Sequence, residues 1–287
     1  MRFEKIIVIG TGKIACSCIE SLVSILSKER LCALEVYKQS LSMLNKICAM
    51  HSIEYLELIQ RNDIHAWLKE YTRNCSVLII SANNRYIFPP EFINEKNIEI
   101  VNFHYSLLPA YRGMNIPTWV IFNNESQTGI TWHYITQHID QGKIISQKSI
   151  DINPTTTAFD ITRMGMQLGA DSFREFIGEL LNHHINGIEI NSTNNDRIYY
   201  KSDLPMNGFL DINASMDHID RLLRSFDYGG LPLVPRLQTV VNDMLYCVNK
   251  YQIKSTTLFV QRQITVSDCI FSISEGNKTI ILFCSHI

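Results

Sequence analysis

The run Lys5-Ile6-Ile7-Val8-Ile9-Gly10, passing at once into Thr11-Gly12-Lys13-Ile14-Ala15, constrains the fold more than any other stretch of this chain. A short strand so rich in β-branched residues is too apolar to leave either face in water. The two glycines permit a sharp turn, after which Ile14, Ile19, Leu22, Val23 and Leu26 recur near helical spacing. Strand, turn and helix open a βαβ unit, and similar units follow. Leu31 to Val36 reads as strand, Leu41 to Met50 as helix, Ile53 marks a short strand, and a helix runs from about Asp63 to Tyr71. Val77 to Ser81 and Ile98 to Phe103 complete a series that suits a parallel sheet covered on both faces, a Rossmann-like arrangement.

The pattern then changes. Gly129 to Trp132 and Lys143 to Ile150 are strand-like, and Thr157 to His183 carries a long helical period (Phe159, Ile161, Met164, Leu168, Phe173, Phe176, Ile177, Leu180, Leu181) that should pack across the sheet. Asn191-Ser192-Thr193-Asn194-Asn195 is a turn-forming stretch at the approach to a linker, with the boundary placed near 206. Beyond it a helix from about Ser215 to Phe226 and short strands near 238–249, 253–260, 268–274 and 279–284 describe a small domain. The expected fold class is α/β: a Rossmann-like, mostly parallel sheet domain over 1–206 and a small, mainly β domain over 207–287.

Composition narrows the function classes. Of 287 residues, 46% are hydrophobic and 19% charged, which excludes disorder, collagen-like repeats and coiled coil. A net charge of -2 gives no overall surface for neutralising many phosphates. No apolar run reaches membrane-spanning length and the N-terminus has no signal-peptide pattern, so a cytoplasmic protein with no membrane partner is expected. The eight cysteines form no CxxC pair and have no zinc-ligand spacing, so they read as buried free thiols, and no metal is expected.

Two constellations carry chemistry. Gly10-Thr11-Gly12-Lys13-Ile14-Ala15 matches G-x-G-x-x-A, with Glu35 at the end of the next strand where a ribose-binding acid would stand, which keeps an NAD-dependent oxidoreductase or a non-catalytic nucleotide-binding protein as alternatives. The same glycines serve any sharp strand-to-helix turn, and no hydride-transfer site is visible. The second is Asn102-Phe103-His104-Tyr105-Ser106-Leu107-Leu108-Pro109-Ala110-Tyr111-Arg112-Gly113, followed by Asp140-Gln141-Gly142. Asn102 and His104 alternate on a strand and share one face at its C-terminal end, where open α/β sheets place ligands. An amide beside an imidazole can hold a developing oxyanion, and an Asp brought in by a following loop can accept a proton. Each residue alone has a plainer reading: a strand-end cap, a satisfied polar side chain, a turn former before Gly142.

Together, Asn-x-His, Ser-Leu-Leu-Pro-x-Tyr-Arg-Gly and an Asp-x-Gly some 36 positions after the His resemble the signature of formyltransferases that use N10-formyltetrahydrofolate. The resemblance implies Asn102, His104 and Asp140 as a catalytic trio. It implies folate contacts from the loop Asn84-Arg85-Tyr86-Ile87-Phe88-Pro89, here Arg85, Tyr86, Ile87 and Phe88, and from Ile135, Thr136, Gln137 and Asp140. Tyr105, Ser106, Tyr111, Arg112 and Gly113 become acceptor-binding positions. Gly113-Met114-Asn115-Ile116-Pro117-Thr118-Trp119 and Thr131-Trp132-His133 look more like the sugar-amine enzymes, or the formylating domains associated with peptide synthetases, than like the tRNA enzyme, and Ser225-Phe226-Asp227-Tyr228-Gly229-Gly230 is similar to their C-terminal motif. The expected acceptor is therefore a small-molecule, nucleotide-linked dideoxy-amino sugar such as dTDP-4-amino-4,6-dideoxyglucose, of the kind used in surface polysaccharide. An amino acid, a peptide-synthetase-bound substrate and methionyl-tRNA are the alternatives. Residues 207–287 hold seven Lys+Arg and seven Asp+Glu, a poor tRNA surface, so no nucleic-acid partner is expected; a homodimer is left open.

Overall fold

The computed structural model describes residues 1–37, 42–190 and 197–287. The linker stretch 191–195, and residue 41 at the expected start of the second helix, lie outside the described residues. The chain divides into two compact units: residues 1–112, 128–150 and 163–198 form the first, and residues 113–127, 151–162 and 199–287 the second. The second unit thus draws on three stretches of chain rather than on the segment after 206 alone.

The first unit is built on β1 (Lys5–Gly10), α1 (Gly12–Val23), β2 (Leu31–Val36), α2 (Met43–His51), β3 (Glu54–Leu58), α3 (Arg61–Tyr71), β4 (Val77–Ala82), α4 (Pro90–Ile93) and β5 (Ile98–His104). The two-residue strands β6 (Arg112–Gly113) and β9 (Ile198–Tyr199) fall where the chain passes between units, and α5 (Ile116–Phe122) belongs to the second. β7 (Gln127–Tyr134) and β8 (Ile144–Asp151) complete a sheet of order β3-β2-β1-β4-β5-β7-β8. Its first five strands are parallel, and β7 runs antiparallel to β5. The mostly parallel α/β class is therefore observed.

Alternation along the strands sends side chains to two faces. Ile6, Val8, Leu78, Ile80, Val101, Phe103, Ile130 and Trp132 pack with α1 and with the helix α6 (Ala158–Asn182), which supplies Phe173, Phe176, Ile177, Leu180 and Leu181. Ile7, Ile9, Leu34, Ile79 and Ile100 face the other way, toward Ile64 and Leu68 of α3 and toward Tyr86, Phe88 and Phe92. The long helix lies close across the sheet as expected: the Trp132 indole N–H donates to Gly169 O at 3.0 Å, and a Cβ on Gly169 would stand 2.3 Å from the Phe103 ring.

In the second unit, α5 and α7 (Met216–Phe226) pack together beside a sheet of order β10-β11-β12. Its strands are β10 (Gln238–Val241), β11 (Met244–Ser267) and β12 (Ile270–His286), so the four short strands expected after 237 are replaced by a short strand and one long, bulged hairpin. Arg224 is buried, donating to Asp220 Oδ1 at 2.7 Å and to Thr156 O at 2.9 Å. All eight cysteines are free thiols; four are buried and four half-buried.

Candidate active site

Three strands of the first unit place one polar residue each in a single row. Ser81 of β4 is the register partner of Asn102 of β5, and Asn102 is the partner of His133 of β7. Partners in register share a face of the sheet, so the three side chains meet near the C-terminal end of β4 and β5. The Ser81 hydroxyl donates to Asn102 Oδ1 at 2.7 Å, and Asn102 Nδ2 lies 3.1 Å from His133 Nε2. His133 Nδ1 faces the Tyr134 carbonyl at 2.8 Å. A carbonyl can only accept, so the proton sits on Nδ1 and the bare Nε2 accepts from the Asn102 amide. Burial pushes the His133 imidazole down to about 4, against the opposing pull of the Asp140 carboxylate and with help from nearby His104. His133 is neutral in the physiological range. The second Asn102 amide hydrogen has no acceptor among the described residues.

His104 stands two residues along β5, on the same face and buried. Its Nε2 donates to Tyr111 O at 2.8 Å, and its Nδ1 lies 3.6 Å from Asp140 Oδ2. Asp140 Oδ1 lies 3.6 Å from His133 Nε2. Both separations are too long for hydrogen bonds. The structure thus brings Asn102, His104 and Asp140 together, but the His104 Nε2 is turned to a backbone carbonyl rather than into the site. What remains is one amide donor on Asn102, and a carboxylate beside the second imidazole nitrogen of His104.

The turn that leads to Tyr111 is held by a polar scaffold. Thr131, register partner of His104, donates to Ser106 O at 2.6 Å and accepts from Leu108 N–H at 3.2 Å, and Gln147 Nε2 reaches Leu108 O and Thr131 Oγ1, each at 2.9 Å. The Ser106 hydroxyl closes the turn by donating to Ala110 O at 2.7 Å. Ser106 is therefore a buried turn builder. Arg112 is buried too, while Tyr105 and Tyr111 are half-buried. Gly113 has φ +99, and a Cβ there would lie 2.1 Å from Tyr199 O, so backbone packing explains this glycine.

The loop after β4 alternates. Tyr86 and Phe88 are core residues, Phe88 stacking on Phe92 at 6.0 Å, whereas Arg85 and Ile87 are exposed. Ile135 packs on the same apolar cluster, and Thr136 and Gln137 are exposed. Contact with a ligand from the 84–89 loop would thus fall to Arg85, Ile87 and the backbone, not to the two buried rings.

Glu35 is buried and accepts from the Tyr55 hydroxyl at 2.8 Å. A Cβ on Gly10 would lie 1.8 Å from Ala82 O, so the close approach of β1 to β4 accounts for that glycine. Neither observation leaves support for a dinucleotide fingerprint. Ser81 and the role of His133 escaped the sequence reading, since only the register of β4, β5 and β7 reveals them.

Comparison with known proteins identifies the family. The formyl transferase family model matches residues 23–176, more than half of the chain. The chain belongs to the formyl transferase family. This formyltransferase is 29% identical over 232 residues to GDP-perosamine N-formyltransferase of Brucella melitensis, covering 79% of this chain and 86% of that protein. It is 25% identical over 261 residues to methionyl-tRNA formyltransferase of Clostridioides difficile, covering 87% and 80%. The crystal structure of the N-formyltransferase from Helicobacter canadensis, in complex with folinic acid and dTDP-3-aminofucose, shares its fold with a TM-score of 0.75 at 20% identity, covering 98% of this chain and 99% of that one.

Proposed function

We propose that this formyltransferase moves the formyl group of N10-formyltetrahydrofolate to the amine of a nucleotide-linked dideoxy-amino sugar. The observation that carries the reading is the juxtaposition of one uncommitted Asn102 N–H with the Asp140 carboxylate, 3.6 Å from His104 Nδ1. The acceptor amine, unprotonated, attacks the formyl carbon. Oxygen charge that develops there is met by the Asn102 amide hydrogen. The proton shed by the amine passes to the Asp140–His104 pair, directly or through water, and returns to the folate nitrogen as the carbon–nitrogen bond breaks. No other chemistry is asked of the chain.

The exposed Arg85, Ile87, Thr136 and Gln137 would contact the folate, above the apolar base shared by Tyr86, Phe88 and Ile135. The sugar amine is supported by the Brucella relative, named for GDP-perosamine, and by the Helicobacter neighbour, named for dTDP-3-aminofucose. The test measures tetrahydrofolate release with N10-formyltetrahydrofolate and a panel of dTDP- and GDP-linked 3- and 4-amino sugars. Turnover with one of them is expected. Binding of NAD with no binding of a reduced folate would overturn the reading.

A further inference from the structure

The Ser81–Asn102–His133 row continues into the loop after β4. Ser81 Oγ accepts from Asn84 Nδ2 at 3.3 Å, while Asn84 is locked to Tyr86, accepting its N–H at 2.9 Å and donating to its carbonyl at 3.1 Å. Every donor in the series points the same way: Asn84 to Ser81, Ser81 to Asn102, Asn102 to His133, His133 to the Tyr134 carbonyl. A carboxamide has nearly the same shape when turned over, so packing alone does not decide which side presents its hydrogens. Here the neighbours decide it. A reversed Asn102 would set its carbonyl against the bare His133 nitrogen, a repulsive contact in a buried site.

We propose that Ser81 and His133 are positioning residues that fix the polarity of the Asn102 carboxamide, and that the row ties this oxyanion donor to the loop holding Arg85 and Ile87. The inference rests on the role given to Asn102 above. Ser81 touches no reacting atom, and its effect passes entirely through Asn102.

Kinetics and nuclear magnetic resonance test it on the intact chain. With N10-formyltetrahydrofolate and the acceptor returned by the panel above, Ser81→Ala should lower kcat roughly 3- to 10-fold, the range of one neutral hydrogen bond, with the KM for folate within about twofold. His133→Leu should cost roughly 10- to 100-fold, and His133→Gln, whose carboxamide oxygen can still accept, should recover part of it. In an Asn102→Ala background, neither Ser81→Ala nor His133→Leu should cost anything further, an outcome a merely structural role would not give. If Asn102→Ala lowers kcat while Ser81→Ala and His133→Leu leave it unchanged, the inference fails and the function stands. If Asn102→Ala itself changes nothing, the assigned role of Asn102 fails and takes the inference with it. Independently of any acceptor, ¹⁵N spectra of the wild type at pH 7 should show His133 neutral with its proton on Nδ1. A proton on Nε2 would overturn the proposal, because that nitrogen would then donate.

Discussion

Asp140 sits at φ +52, in the left-handed region that costs most side chains about 1 kcal/mol or more and that Asp and Asn tolerate best. Asp140→Asn keeps that tolerance and the side-chain shape while removing the carboxylate, so chemistry separates from backbone strain. The expected result is a thermal midpoint within a few degrees of wild type and a loss in kcat that eases as pH rises, because more acceptor amine is already neutral. Near-normal turnover at pH 7 would return Asp140 to a turn former. Asn102→Ala should cost on the order of 10²- to 10³-fold in kcat, the usual size for one oxyanion donor, with stability little changed. His133 makes a separate prediction about pH. Its folded value lies at about 4, below the 6.5 of the free side chain, so between those two pH values the unfolded chain binds more protons. Stability should therefore fall as pH drops from 6.5 toward 4, by up to about 3 kcal/mol from this group. His133→Gln should flatten that part of the curve in urea unfolding at stepped pH.

At the level of elements, the first half of the fold was legible because its strands and helices differ in period. The apolar runs 5–10, 31–36 and 77–82 have no alternation, as strands buried on both faces require, and the helices between them repeat at 3.6. The hairpin β11–β12 was not. Register shifts between Val248 and Lys250, between Ser255 and Val260, and between Val260 and Gln263 break its two-residue period, so one long strand reads as several short ones. Asn102, His104 and Asp140 were legible as motifs, whereas Ser81 and His133 are defined by cross-strand partners that no local pattern encodes. Gly142 shows how an element sets the chemistry. A Cβ there would lie 1.7 Å from Tyr134 O, so the turn that carries Asp140 closes on the end of β7 only with glycine. Gly142→Ala should destabilise the protein by roughly 1–3 kcal/mol, as overpacking usually does, and should lower kcat as well by shifting Asp140. Urea unfolding alongside turnover checks both, and a variant that is stable yet inactive would show that the turn matters to the site more than to the fold.

For the whole molecule the choice lies between a small amine and a tRNA, since relatives named for each align over most of the chain. Both readings predict that a reduced folate stabilises the protein, by about 2.7 kcal/mol at a hundredfold excess over its Kd, so thermal shift with folate tests the family chemistry without choosing between them. Charge bears on the choice. The last 81 residues carry seven cations and seven anions. Among the described residues, several of those cations are already committed inside the second unit: Arg224 and Lys278 to Asp220, and Arg262 to Glu275 at 2.6 Å and to the carbonyls of Ile212 and Ala214. A cation held by a carboxylate releases few counterions from a phosphate backbone, and it is counterion release that makes tRNA affinity both strong and salt-sensitive. Initiator tRNA should therefore bind weakly, with log K falling against log salt at a slope no steeper than about -3. Filter binding from low to physiological salt measures it. Submicromolar affinity lost steeply with added salt would move the proposed acceptor from a nucleotide-linked sugar to tRNA and leave the roles proposed for Asn102, His104 and Asp140 untouched.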